Sequence, residues 1–304
     1  MKQNNDSTVI RTEGLTHRYG KLTALDDLHL EVVRGEIFGF LGPNGAGKTT
    51  TIRTLLDFIR PTAGHATILG MDSVKDSVEI RRRTGYLPSE LTLWENWTGV
   101  QYIKWLEQIR RNGGILPEAQ RLAQRLDYDL SRPLSGMSTG MKRKVGLIAA
   151  LAHKPELLIL DEPTIGLDPL MQKAFEDYMQ DVRREGRTVF LCSHNLQEVE
   201  AICDRVGIIR NGRLEAVETV ANLTSVTFRW MTIELDSPAS MNGYSDIDGI
   251  SDITLDGSTV RMRVSGDADI DRIIKLTAQH KVNDLRFVQP TLEEIFLTYY
   301  GEKE

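Results

Sequence analysis

EIFGFLGPNGAGKTT, residues 36–50, is the stretch of sequence that decides the fold. Its first six residues have the pattern of a buried strand, and a helical pattern follows from Lys48 to about Ile59. Between them lies a glycine-rich loop with the spacing of a phosphate-binding loop. The residues of this loop are Gly42, Pro43, Asn44, Gly45, Ala46, Gly47, Lys48, Thr49 and Thr50. A strand, this loop and a helix in that order predict an α/β fold that binds a nucleotide.

The residue types of the loop explain why phosphates would bind there. Its glycines let backbone N–H groups close around the phosphates, and the N-terminus of the following helix adds partial positive charge. Lys48 would reach the β- and γ-phosphates, and Thr49 would offer a hydroxyl to Mg²⁺. The alternative, a glycine-rich turn that merely begins a helix, is disfavoured because all nine residues match in the expected context.

A second chemical motif follows the apolar strand Leu157–Leu160. Asp161 and Glu162 stand at its carboxyl end, where open α/β sheets bind their ligands. Asp161 is predicted to hold Mg²⁺, directly or through a water, and Glu162 to polarise an attacking water. A strand that ends in two acidic residues is often only solvated, but the phosphate-binding loop earlier in the same α/β unit favours the catalytic interpretation.

Two domains are predicted, residues 1–222 and residues 223–304. Short alternating apolar runs predict a mainly antiparallel β region over about the first forty residues. Residues 91–145 are predicted to form a helical insertion that opens with a capping box at Thr92 and Glu95. Strands and helices then alternate as they do in a largely parallel sheet, and the second domain is predicted to be α+β.

Composition restricts the classes of function. The 304 residues include 37 Lys and Arg against 43 Asp and Glu, a net charge of −6, so no specific nucleic-acid partner is expected. The two cysteines, Cys192 and Cys203, are too few for a disulfide framework or a zinc site and favour a cytoplasmic protein. The N-terminus lacks a signal-peptide pattern and the apolar run 145–152 is too short to span a bilayer, so any membrane role is expected to come through a partner.

Several segments, in their order and spacing, resemble the ATPase subunit of an ABC transporter. They are Gly42–Thr50, Asp161–Thr164, Gly166–Pro169 and Ser193–His194, together with Met137–Lys144, which aligns with the family's signature motif Leu-Ser-Gly-Gly-Gln. The resemblance covers residues 8 to about 220. It implies a P-loop NTPase fold of the ABC type, with an antiparallel β subdomain and a helical insertion, followed by a small C-terminal α+β domain.

The signature motif could also be matched to Leu134–Gly136. Counting back through the helical stretch 141–150 favours the later segment, with Ser138 and Gly140 as the motif's serine and second glycine. Ser138, Thr139 and Gly140 would then present a hydroxyl, N–H groups and the helix dipole to the γ-phosphate held by a second subunit. Ser138 can also be a helix N-cap, and the two roles are compatible.

The resemblance implies roles for three further residues. Tyr19 would stack on adenine, and Asp168 would link the two active sites across a dimer. His194 would contact the γ-phosphate and hold the attacking water together with Glu162. Taken alone, Tyr19 is more often an edge aromatic residue and His194 a satisfied loop histidine, but the other motifs favour the functional roles. With Glu162, His194 and Lys48 as catalytic residues, the chain is expected to hydrolyse ATP with Mg²⁺.

The chain departs from the family in the loop that ends at Ser89 and Glu90. Ser89 occupies the position of a glutamine that is thought to hold Mg²⁺ and water, and a serine is too short for that contact. Glu90 or a water would have to substitute, or turnover would be slow. The signature segment also departs, with Thr139 in place of a glycine and Met141 in place of a glutamine. The ATPases of drug and antibiotic exporters vary to a comparable degree in this motif, so these departures do not indicate an inactive site.

Two further segments suggest partners. Trp94, Trp97 and Trp105 lie on a predicted helix beside the loop where the family's membrane subunit docks. Aromatic residues at helical spacing are more often core, so some of the three are expected to be buried and at most one or two to lie in an interface. Residues 289–300, with a predicted helix over Thr291–Tyr300, resemble the tail of exporter-type ATPases that work with a separately encoded permease.

The sequence therefore predicts the ATP-binding and ATP-hydrolysing subunit of an ABC exporter. Two subunits, either two copies or a copy and a paralogue, would enclose two ATP molecules between the Lys48 loop of one chain and the Ser138 segment of the other. An integral-membrane permease would hold the chain at the inner face of the cell membrane. The alternatives are a non-transport ABC protein acting on ribosomes or DNA and an ATP-dependent interaction or sensor module.

Overall fold

The structure is a computed structural model that describes residues 7–110, 113–224, 228–237 and 243–290, and the chain divides into two units, Met1–Thr219 and Val220–Glu304. The strands of the first unit are β1 (Thr8–Tyr19), β2 (Leu22–Val33), β3 (Ile37–Leu41), β4 (Ala63–Ile68), β5 (Met71–Asp72), β6 (Thr84–Leu87), β7 (Leu157–Asp161), β8 (Thr188–Ser193), β9 (Arg205–Arg210) and β10 (Arg213–Thr219). Its helices are α1 (Lys48–Leu55), α2 (Ser77–Arg83), α3 (Gly99–Arg110), α4 (Leu116–Arg125), α5 (Thr139–Leu151), α6 (Pro169–Arg184) and α7 (Leu196–Ile202).

One sheet of the first unit is antiparallel, with the strand order β2-β1-β4-β5. Along β2 the buried side chains of Leu28, Leu30 and Val32 alternate with the exposed side chains of His29 and Glu31. This period of two places every second residue in the core and leaves the others in water. The antiparallel region predicted from the first forty residues is confirmed, and the short strands β4 and β5 extend it.

The second sheet carries the residues of the candidate site at one edge. Its order is β10-β9-β3-β8-β7-β6, and all its pairs are parallel except β9 with β10. Strands β3, β7 and β8 are neighbours and buried throughout, as expected of strands covered on both faces. Their carboxyl ends therefore meet at one edge, which carries the glycine-rich loop, the Asp161–Glu162 pair and the Ser193–His194 pair.

The predicted start of the helical insertion was wrong. Residues 92–97 are not helical, and the capping box lies at Thr98 and Gln101 instead of at Thr92 and Glu95. The Thr98 N–H donates to Gln101 Oε1 at 2.8 Å, and the Gln101 N–H donates to Thr98 Oγ1 at 3.3 Å. The physical reason is that the segment before α3 pairs with residues 130–134, for example through Leu134 N–H to Trp97 O at 2.7 Å.

The helix after the phosphate-binding loop is also shorter than predicted. It ends at Leu55, four residues before Ile59. Asp57 adopts a left-handed conformation with φ of 56°, and the N–H groups of Phe58 and Ile59 both donate to the Arg53 carbonyl. This local turn satisfies one of the last carbonyls of the helix and stops the helix, although the apolar pattern continues.

The second unit contains α8 (Val220–Thr224), β11 (Phe228–Leu235), β12 (Ile250–Asp256), β13 (Thr259–Ser265), α9 (Ile270–Thr277) and β14 (Val282–Val288). Its antiparallel sheet has the order β12-β13-β11-β14. Met231, Ile233 and Met262 from the sheet pack with Ile273 of α9 in one apolar cluster. The α+β character predicted for this region is present, and the helix predicted over Thr291–Tyr300 lies outside the described residues.

No helix within the described ranges combines the length and the apolar character that crossing a membrane requires. Cys192 and Cys203 are both buried and are free thiols. Burial raises the pKa of each thiol well above its usual value, so both stay protonated and packed in the interior.

Candidate active site

The phosphate-binding loop connects β3 to α1 in a conformation that two of its glycines make possible. Gly47 has φ of 114°, and a Cβ there would lie 2.8 Å from the Ala24 carbonyl. A Cβ on Gly42 would clash with the Ile209 carbonyl. The loop therefore lies against the β2 and β9 backbone, and α1 starts at Lys48 with its first N–H groups on the side of the loop.

Lys48 is buried at this helix start, with 7% of its surface exposed. Its Nζ donates to Gly42 O at 2.5 Å and to Pro43 O at 3.2 Å. The two carbonyls keep the ammonium beside the loop, where it can pair with phosphate oxygens.

Thr49 and Asp161 form the part of the site that suits a metal ion. Thr49 Oγ1 donates to Asp161 Oδ2 at 2.9 Å, and Asp161 Oδ1 is buried without a hydrogen-bond partner among the described residues. Burial raises the pKa of the Asp161 carboxyl, while the hydroxyls of Thr49 and Ser89 offset part of that effect. An unpaired buried carboxylate oxygen beside two hydroxyls matches the oxygen ligands that Mg²⁺ requires, so these residues fit the ion.

Glu162 and His194 meet across the edge of the sheet. His194 Nδ1 lies 2.7 Å from Glu162 Oε2, and the Glu162 N–H donates to the Cys192 carbonyl at 2.8 Å. Glu162 has φ of 54°, a left-handed conformation that a non-glycine residue adopts at a cost of about 1–3 kcal/mol and that is concentrated at functional sites. The Glu162 side chain is 11% exposed, whereas that of His194 is 56% exposed.

A cavity of about 480 Å³ joins these groups. It is lined by Tyr19, Leu22, Ala24, Pro43, Asn44, Gly45, Gly47, Lys48, Thr49, Thr50, Ser89, Asp161, Glu162, Ile165 and His194. Most of the residues predicted from the loop and from the two strand ends therefore lie together. Tyr19 is 45% exposed at the rim and meets the His17 ring edge-on, with 4.5 Å between ring centroids. Ser89 is part of the lining, whereas Glu90 is exposed and is not.

The signature segment does not line this cavity. Ser138 is the N-cap of α5, and its Oγ accepts from the Met141 N–H at 3.3 Å. Asp168 is likewise the N-cap of α6. A Cβ on Gly140 would clash with the Gly166 carbonyl, so the start of α5 packs directly on the loop that leads to Asp168. Ser138, Thr139, Gly140 and Asp168 are thus held close to one another but apart from the Lys48 loop of their own chain.

Arg143 is a residue of the site region that the sequence analysis missed. It is 3% exposed, and its guanidinium donates to the carbonyls of Pro88 and Ser89, each at 2.6 Å. Burial lowers the pKa of Arg143, and the carboxylates of Asp161 and Glu162 oppose that shift. The helical period of the sequence could have indicated the burial of Arg143, because Arg143 lies on the same helix face as the buried Leu147.

Replacing Arg143 by Met is expected to lower the melting temperature by about 5 °C, because two partly buried carbonyls lose donors worth about 1 kcal/mol each. Differential scanning calorimetry of the full chain measures the change. Lys142→Met, at a half-buried position one residue earlier, is the control and should melt like the unaltered chain. A melting temperature unchanged by Arg143→Met would show that these hydrogen bonds do not hold the Ser89 loop.

The fold and the site define a nucleotide-binding protein of the P-loop class, with a phosphate-binding loop, a metal-compatible Asp–Thr pair and a Glu–His pair at one sheet edge. The family model described as "ABC transporter" matches residues 25–165. The linearmycin resistance ATP-binding protein of Bacillus subtilis is 30% identical over 96% of this chain and 98% of that protein. The chain belongs to the ABC transporter family of ATP-binding proteins.

Other similar proteins agree. The bacitracin transport ATP-binding protein of Bacillus licheniformis is 40% identical over 68% of this chain and 69% of that protein. The daunorubicin resistance ATP-binding protein DrrA3 of Streptomyces coeruleorubidus is 32% identical over 97% of this chain and 96% of that protein. A solved "ATP binding subunit of ABC transporter" is 29% identical with a TM-score of 0.67, covering 71% of this chain and 92% of that one.

These similarities confirm the predicted class and activity. The chain is an ATP-binding subunit of an exporter-type ABC transporter, and it is an ATPase. The predicted P-loop fold of the ABC type is confirmed as well.

Proposed function

We propose that this chain hydrolyses ATP with Glu162, His194 and Lys48 as its catalytic residues and thereby drives a membrane permease. The observation that carries the proposal is the 2.7 Å contact of His194 Nδ1 with Glu162 Oε2, on the cavity that Lys48 and Asp161 also line. A general base, a residue that orients it and a phosphate-binding cation are the groups that phosphoryl transfer to water requires.

Each residue of the proposed site has one task. Lys48 and the loop N–H groups bind the β- and γ-phosphates, and Tyr19 stacks on adenine at the rim. Glu162 accepts the proton of the attacking water, and His194 holds that carboxylate in position. Thr49 and Asp161 would hold Mg²⁺, with Ser89 contributing directly or through a water, and the ion would neutralise charge on the phosphate oxygens.

Ser138, Thr139, Gly140 and Asp168 are proposed to act on the ATP of a second subunit. Their position outside the cavity of their own chain supports this, as does the packing of Gly140 on Gly166. ATP would contact both subunits only in a closed dimer, so its binding shifts the open–closed equilibrium by the free energy of those added contacts. The second subunit is either another copy of this chain or a paralogue.

The aromatic cluster is proposed as part of the surface that binds the permease. It consists of Trp94, Trp97, Tyr102 and Trp105, whose neighbouring ring centroids are 4.3–6.1 Å apart. The expectation that some of the tryptophans are buried was wrong, because Trp94 is 46% exposed and the other two are partly exposed. Exposed tryptophans concentrate binding energy at protein interfaces. The permease would keep the chain at the cytoplasmic face of the membrane.

The cargo is proposed to be a drug or an antibiotic. Similar proteins are named for linearmycin resistance, bacitracin transport and daunorubicin resistance, which supports this class. The cargo itself would contact the permease, so the residues described here do not select among such compounds.

The test is to purify the Glu162→Gln chain from its native membranes with ATP and to identify its companions by mass spectrometry. A polytopic membrane protein should be recovered at a near-equal ratio. Adding Trp94→Ala should lower that recovery about ten-fold or more, because an interface tryptophan contributes about 2 kcal/mol or more. The control Val78→Ala removes an exposed side chain of α2 and should leave recovery unchanged. Recovery of ribosomes or nucleic acid would contradict the transport proposal.

A further inference from the structure

A buried carboxylate lies behind the Glu162–His194 pair. Glu198 of α7 is 4% exposed, and no Lys or Arg in the described part of the chain forms an ion pair with it. Its Oε2 accepts from Ser193 Oγ at 2.7 Å, and its Oε1 has no hydrogen-bond partner among the described residues. Burying an acidic group without a counter-charge costs free energy, so a residue of this kind has to be explained by what it contacts.

The hydrogen bonds of Glu198 lead to the loop that carries His194. Ser193 immediately precedes His194, and its Oγ also accepts from the Asn195 N–H at 3.0 Å. Asn195 caps α7 by accepting from the Glu198 N–H at 3.4 Å. The loop that carries His194 is thus tied on both sides to the first turn of α7 and to the Glu198 carboxyl.

The electrostatics of Glu198 involve both loops of the site. Burial raises the pKa of Glu198 to about 7, and the carboxylates of Glu162 and Glu176 act in the same direction. The hydroxyls of Ser193 and of Thr164, which is buried two residues after Glu162, oppose the shift. The carboxyl therefore acts mainly through hydrogen bonds, which an amide of the same shape can replace.

We propose that Glu198 is a positioning residue that holds the His194 loop through its hydrogen bond with Ser193, and thereby holds His194 against Glu162. It does not touch the nucleotide, since it lies outside the lining of the cavity. The proposal rests on the roles proposed above for Glu162 and His194. Because the phosphate-binding loop belongs to β3 and α1, loss of the hydrogen bond with Ser193 should affect the chemical step and spare ATP binding.

The test measures steady-state ATP hydrolysis and ATP affinity of the full-length chain with Mg²⁺. Glu198→Ala should lower kcat by about ten-fold to a hundred-fold, because small displacements of catalytic groups have effects of that size. The KM for ATP and the dissociation constant of ATP should stay within about two-fold, because the substitution affects the chemical step and not ATP binding. Glu198→Gln keeps the shape of the side chain and an oxygen that can accept from Ser193, so it should restore most of kcat. Ser193→Ala should lower kcat in the same way.

Controls separate this proposal from a structural role and from the proposed function. Glu200→Ala, at an exposed position of the same helix, should behave like the unaltered chain. A normal kcat in Glu198→Ala, or a Gln variant as impaired as the Ala variant, would overturn the proposal. If Glu198→Ala fails to fold, Ser193→Ala decides, and a normal kcat overturns the proposal. Glu162→Gln is measured in parallel, because normal hydrolysis there would refute the proposed function itself.

Discussion

Glu162→Gln should lower kcat for ATP hydrolysis by a factor of about 10² to 10⁴, the usual contribution of a general base. The amide keeps the size of the side chain but cannot accept the proton of the attacking water. ATP affinity should stay within about two-fold, because Lys48 and the loop N–H groups are unaltered and mutations of this kind remove transition-state interactions. Phosphate release measures the first quantity, and titration with a fluorescent ATP analogue measures the second.

The same variant should accumulate in the closed dimer. Hydrolysis is what would reopen the dimer, so a chain that binds ATP without cleaving it stays in the state that ATP favours. Size-exclusion chromatography with ATP should therefore show a dimer, and with ADP it should show a monomer. Glu200→Gln, exposed on α7, is the control. Normal turnover in Glu162→Gln would rule out Glu162 as the base and would assign that step to another group of the site.

The parts of the site that could be predicted from the sequence are those set by local chemistry. The loop from Gly42 to Thr50 must be glycine-rich because the backbones of β2 and β9 pass close to it. Asp161 and Glu162 were predictable because an apolar strand ends at them, and parallel strands bring their carboxyl ends to one edge. Short-range pattern was therefore enough to predict the loop proposed to bind the phosphates and the carboxylate proposed as the base.

The parts that could not be predicted depend on contacts distant in sequence. Arg143 looks like a solvated helix cation until Pro88 and Ser89, more than fifty residues earlier, are placed beside it. Glu198 looks like one more acidic residue of a short helix until the folded chain buries it to 4% exposure. The start of α3 was misplaced for the same reason, since residues 130–134 supply the hydrogen bonds that a longer helix would have made. The burial of a polar group depends on tertiary contacts, which the hydrophobic periodicity of the sequence does not reveal.

The second large effect concerns Lys48 and appears in binding rather than in turnover. Lys48→Ala should weaken ATP affinity by about ten-fold to a hundred-fold, because a hydrogen bond to a charged group contributes about 1.5–3 kcal/mol. In the unaltered chain Nζ already lies 2.5 Å from Gly42 O and 3.2 Å from Pro43 O, so the ammonium needs little reorganisation to pair with phosphate oxygens.

The contrast between the two variants locates the two functions on different elements. Lys48→Ala should bind ATP poorly and therefore fail to form the closed dimer. Glu162→Gln should bind ATP well and remain in the closed dimer. Lys75→Ala, which removes an exposed cation away from the cavity, controls for loss of positive charge. Isothermal titration with ATP measures the ATP affinity of both variants. ATP affinity that is unchanged in Lys48→Ala would mean that the loop N–H groups and the helix dipole alone hold the phosphates, and Lys48 would then act only on the transition state.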